Sequence, residues 1–135
     1  MVRRHFSNVR VDEIVNFNRE ALEAEGQRQG FVNEANLDFI VDKFEREYSS
    51  AHRRKSLIRI CATAVYDIAH FKGRHPFHDG NKRTALLTVN TLLRLNGYAL
   101  SFTEESAKEM VMKAASGEIF HKDIEAWLAG HIRPV

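Results

Sequence analysis

The chain has 135 residues, a mass of 15.5 kDa and a formal net charge of +2. That length suits one domain, 1–135, able to bury a core unaided. Hydrophobic content of 44% beside 28% charged residues excludes disorder and collagen-like repetition. No apolar run nears the roughly 18 residues of a membrane span, and MVRRHFSNVR lacks the apolar stretch of a signal peptide, so no membrane association and a cytoplasmic location are expected. The single cysteine, Cys61 in LIRICATAV, provides no disulfide framework or CxxC metal site and reads as a small core residue.

In chain order, Val11, Ile14, Val15, Ala21 and Leu22 keep helical spacing and Gly26 supplies a stop, predicting a first helix over roughly 11–25. Gly30 marks a loop. With Asn33 as N-cap, Leu37, Ile40, Val41, Phe44 and Tyr48 predict a second amphipathic helix. A polar connection holding Arg53, Arg54 and Lys55 follows. From Ser56 to about Phe71 apolar residues nearly encircle a helix, which implies a buried central element closed by Gly73. A second very apolar helix runs through Ala85, Leu87, Val89, Leu92 and Leu95 to the stop at Asn96-Gly97. Thr103 can cap a helix whose first turn holds Glu104 and Glu105 and which ends before Gly117, and a last helix spans about 121–129. Only ALSF, 99–102, reads as strand. The expected class is therefore all-α, a bundle of about six helices.

The two most apolar helices are joined by HPFHDGNKRTAL, residues 75–86. Lys82 and Arg83 stand there at the start of a helix, where the backbone dipole is already positive and repels cations. Pro76 biases His75 away from helical geometry, Gly80 permits a tight turn and Asn81 can enter or cap the helix. Backbone amides at that turn, with Lys82 and Arg83, form an anion site, and a bound phosphate removes the electrostatic conflict. The wider segment agrees: between Arg53 and Arg83 stand eight Lys/Arg against only Asp67 and Asp79, either an anion-attracting face or a solvated one. A direct nucleic-acid partner is not expected, because no long basic stripe carries interleaved aromatics.

A phosphate beside a histidine and a carboxylate suggests phosphoryl-group chemistry. His75 is the candidate base for an attacking hydroxyl, histidine being the side chain best suited to take a proton near neutral pH. Asp79 is the candidate Mg²⁺ ligand, since that ion accepts one or two carboxylates plus phosphate oxygens. Gly80, Asn81, Lys82 and Arg83 are candidate phosphate contacts, with Asn81 either fixing the loop or touching phosphate. Phe77 reads as a hydrophobic anchor for the loop.

The stretch HPFHDGNKR resembles the signature of the Fic/Doc family, whose Fic branch reads HPFx(D/E)GNGRxxR and whose Doc branch carries Lys at the last glycine, as Lys82 does. GFVNEANLDFIVDK, NKRTAL running into LNGY, and SGE before a Trp-containing helix extend the likeness over nearly the whole chain. The resemblance implies the Fic/Doc fold, His75 as catalytic base, Asp79 as metal-linked carboxylate, and Asn81, Lys82 and Arg83 on nucleotide phosphates, with ATP and Mg²⁺ as cofactors. Likeness to the Doc (death-on-curing) branch further implies a toxin that phosphorylates a hydroxyl of a translation factor, elongation factor Tu or similar, and is held silent by an antitoxin. AMP transfer of the Fic type is the alternative. Lys82 in place of glycine, and Leu86 where a second arginine would stand, argue against it. The family's self-inhibitory pattern, (S/T)xxxE(G/N), meets only a near miss at Ala21–Gly26, where Ala21 lacks the hydroxyl, so inhibition by a partner protein is expected.

Other readings are weaker. His70, His75, His78 and Asp79 evoke metal phosphohydrolases of the HD type, but only His52 and Asp123 are on hand to complete that ligand set. A Walker loop fails on glycine spacing. A non-catalytic binding module keeps every motif residue without using it.

Overall fold

The computed structural model describes residues 5–70 and 75–135. Within them the chain forms six α-helices: α1 (Val11–Glu23), α2 (Ala35–Glu47), α3 (Arg53–Ala69), α4 (Asn81–Leu95), α5 (Glu104–Ala115) and α6 (His121–Ala129). The all-α expectation holds. The Gly73 stop lies outside the described residues.

α3 is the axis of the bundle. Leu57, Ile60, Cys61, Ala62, Ala64, Val65 and Ile68 are fully buried, and the helix packs against α2, α4, α5 and α6. An element surrounded on all sides has to be apolar on all sides, which explains its nearly unbroken hydrophobic sequence. Burial pushes the Cys61 thiol above its usual range, in keeping with a core residue.

Several boundaries differ from expectation. α3 begins at Arg53, after a 3₁₀ turn at Ser50–His52, so the three basic residues assigned to a connection form its first turn. Two of them are held by neighbouring backbone. The Arg53 guanidinium donates to the Asn96 carbonyl at the end of α4 and to the Tyr48 hydroxyl, and Arg54 donates to the Ala129 carbonyl at the end of α6. Helix C-termini present unpaired carbonyls and partial negative charge, so these cations serve as caps for other helices and not as part of an anion-binding face. The N-cap of α2 is Glu34, not Asn33, and no side chain caps it. α1 ends two residues early, and its chain turns back at Gly26 with the Gln27 N–H on the Leu22 carbonyl.

The strand expected at 99–102 forms only in part, since Ser101 and Phe102 lie outside it and Tyr98 joins it, and it has a partner. β1 (Tyr98–Leu100) pairs antiparallel with β2 (Ile132–Pro134), bringing the chain's end back to the exit of α4. Thr103 caps α5 as expected, its hydroxyl accepting from the Ser106 N–H.

Phe44, on α2, is fully buried in the same core as Ile60 and Ile68. Phe44→Ala is expected to lower unfolding free energy by about 3–5 kcal/mol through lost burial and the cavity left behind, read as a reduced urea midpoint with an unchanged slope.

Candidate active site

The loop that follows α3 is pinned before it turns. His70 ends α3, its N–H on the Tyr66 carbonyl and its ring stacked 4.6 Å from that of Tyr66, so it caps the helix and is not part of it. Phe77 is fully buried, and its ring lies 5.4 Å from Phe31. It is the anchor the sequence suggested. The segment around residues 30–33 runs alongside: Val32 and Asn33 donate to the Pro76 carbonyl, and His78 donates to that of Gly30.

The turn itself depends on two side-chain amides. Asn81 spans the loop, its Nδ2 donating to the Phe77 carbonyl at 2.8 Å and its Oδ1 accepting from the Phe77 N–H at 3.1 Å. Its amide therefore fixes the loop. Gly80 precedes α4 with φ of 77°, a left-handed conformation natural to glycine, and a Cβ there would come within 3.0 Å of Asn18 Nδ2. The α4 ladder begins with the Thr84 N–H on the Gly80 carbonyl at 2.9 Å. The amides of Asn81, Lys82 and Arg83 come before it, at the positive end of the dipole.

A cavity of about 400 Å³ opens over this turn. Asp79, Gly80, Asn81, Lys82 and Arg83 line it, with Leu22, Leu86 and Met112 forming apolar walls. The structure thus gathers five of the six candidate residues at one cavity. His75 is not among its lining residues; it stands, half-buried, at the other end of the same loop. Its Nδ1 lies 3.3 Å from the His70 carbonyl. A carbonyl only accepts, so this contact selects the tautomer with the proton on Nδ1 and leaves Nε2 as the acceptor.

Asp79 is exposed, with its Oδ2 3.1 Å from His78 Nδ1. An accessible carboxylate not paired with Lys82 or Arg83, unlike Glu25 in the same cavity, suits a hydrated Mg²⁺ shared with phosphate oxygens. Of the residues the HD-type reading requires, His52 precedes α3 and Asp123 accepts from the Phe120 N–H at the start of α6; neither lines this cavity.

The two cations are not equivalent. Lys82 is exposed at the cavity, whereas Arg83 is already engaged: its guanidinium donates to the Ala21 carbonyl at 2.8 Å and pairs with Glu25. Thus the near-miss segment ALEAEG does reach the motif, with the Glu25 carboxylate paired to Arg83. Sequence reasoning gave Glu25 no site role, although that partial pattern was its signal. It also passed over Asn18, an asparagine fully buried on the apolar stripe of α1 between Ile14 and Leu22.

Comparison with known proteins bears on the family of the chain. The protein adenylyltransferase Fic of Drosophila melanogaster is 40% identical over 63 residues, which is 46% of this chain and 12% of that protein. The protein of the same name from Drosophila persimilis is 42% identical over 64 residues, with the same coverage. The chain therefore spans about an eighth of the length of these relatives. The model of the Fic/DOC family matches residues 8–93, well over half of the sequence and the whole of the loop between α3 and α4. On that match, the chain belongs to the Fic/DOC family.

Proposed function

We propose that this protein transfers a phosphate-bearing part of ATP to a hydroxyl of a protein substrate. The observation that carries this reading is the cavity over Gly80–Arg83, where helix-start amides, Lys82 and Arg83 converge beside the Asp79 carboxylate. Such a set neutralises charge developing on a transferred phosphorus group. His75 Nε2 takes the proton as the substrate oxygen bonds to phosphorus. If the α-phosphorus is attacked, AMP is transferred and pyrophosphate leaves; if the γ-phosphorus, a phosphoryl group is transferred and ADP leaves. Asp79 is the residue to hold Mg²⁺, which would supply further charge neutralisation at the phosphates.

Two observations bear on which group moves. The relatives named as adenylyltransferases support AMP, the form the comparisons favour over the kinase reading. The second reading, phosphoryl transfer, draws on Lys82 and Leu86: both line the cavity, where the AMP-transferring signature has a glycine and an arginine. The physiological setting implied by the Doc-like motif, a toxin acting on an elongation factor Tu-like protein and restrained by an antitoxin, is part of this proposal and rests on the motif alone. Glu25 adds an internal restraint, because it occupies Arg83 until displaced.

Incubation with elongation factor Tu and ATP labelled at either the α or the γ phosphate tests the reading and separates its two forms. Label is expected on the substrate, and His75→Ala is expected to lower its incorporation by about 10²-fold or more. Transfer of neither label counts against the function. Lys82→Ala and Arg83→Ala should each cost at least about tenfold in transfer with unchanged helical circular dichroism. Glu25→Ala should instead raise transfer by about two- to fivefold, the range spanned by a half-exposed ion pair, measured as initial rate at subsaturating ATP. A fall would show that Glu25 supports the site.

A further inference from the structure

We infer that Asn18 is a positioning residue for nucleotide binding: from α1 it takes the Asp79 carbonyl and thereby turns the Asp79–Gly80 peptide so that its amide serves the phosphates. The inference rests on the nucleotide reading above and assigns a role to a side chain outside the motif.

Asn18 is completely buried and uses both ends of its amide. Nδ2 donates to the Asp79 carbonyl at 2.8 Å and to Thr84 Oγ1 at 3.1 Å, and Oδ1 accepts from Gln29 Nε2 at 3.1 Å. Its partners leave no choice of orientation. Gln29 Nε2 also donates to the Val15 carbonyl, so it presents a donor to Asn18, and the Thr84 hydroxyl spends its proton on the Gly80 carbonyl at 2.7 Å, so it accepts. A flipped Asn18 would set donor against donor and oxygen against oxygen.

The consequence follows from peptide geometry. No cis bond occurs among the described residues, so the carbonyl of Asp79 and the N–H of Gly80 point in opposite directions. Holding the carbonyl against Asn18 points that N–H away from α1. It also withdraws a carbonyl dipole that, reversed, would repel phosphate oxygens. Because Gln29 adjoins the segment that runs beside Pro76, one buried amide joins α1, that segment and the start of α4.

The test is titration of ATP with Mg²⁺ into the whole chain, comparing wild type with Asn18→Ala and Asn18→Asp. Both variants are expected to bind at least about fivefold more weakly, the loss of one directed hydrogen bond, while retaining the wild-type circular dichroism spectrum. Asn18→Asp places an acceptor where Asn18 donates to the Asp79 carbonyl, so its deficit should be at least that of Asn18→Ala. A merely structural asparagine would lower the melting temperature and leave affinity alone. Wild-type affinity in folded Asn18→Ala, or in folded Asn18→Asp, overturns the inference while leaving the proposed function intact. Failure of the wild type to bind ATP defeats the function and the inference together. Should Asn18→Asp not fold, Asn18→Ala decides alone.

Discussion

The structure depends on a left-handed turn at Gly80 seated against the buried face of α1. This one contact starts α4 and leaves no room for a side chain, since a Cβ would press on both Asn18 and Leu22. It also determines which way the loop's peptide groups face. α3 and α4 supply about half of the core, yet their packing alone would not set the direction of the loop's peptide groups. That direction comes from polar bonds made by Asn18, Asn81 and Thr84 to the loop backbone.

The electrostatics of the site follow from the same arrangement. Two cations at the first turn of α4 oppose the helix dipole, and each such conflict costs about 0.3–1 kcal/mol when exposed. For Arg83 that cost is partly offset by the Ala21 carbonyl in the last turn of α1, where carbonyls face a cation favourably, and by Glu25 just beyond it. Lys82 stays exposed at the cavity. The charge distribution is thus compatible with two occupants in turn, an internal carboxylate and an external anion, which compete for one guanidinium.

Basic residues elsewhere show why charge counts along a sequence mislead. Arg53 and Arg54 contribute to the positive middle of the chain, but their guanidinium groups are spent on the carbonyl ends of α4 and α6. Among the described residues, Lys82 and Arg83, joined by Lys108 from α5, line the cavity over the start of α4. The distinction lies in what each cation touches.

The sequence by itself determined the helix count, the central place of α3, the buried anchor at Phe77 and the cluster running from Asp79 to Arg83. Each of these is written in local periodicity, in turn residues or in adjacent positions, so no distant contact is needed to see it. Only the tertiary structure decided that Asn81 clamps Phe77, that Glu25 meets Arg83, that Asn18 holds the Asp79 carbonyl and that the last residues pair with β1. Asn18 and Asp79 are 61 residues apart, and Glu25 and Arg83 are 58. Such partners are chosen by how α1 packs on α4, and a side chain's hydrogen-bonding chemistry permits many partners until packing leaves it one.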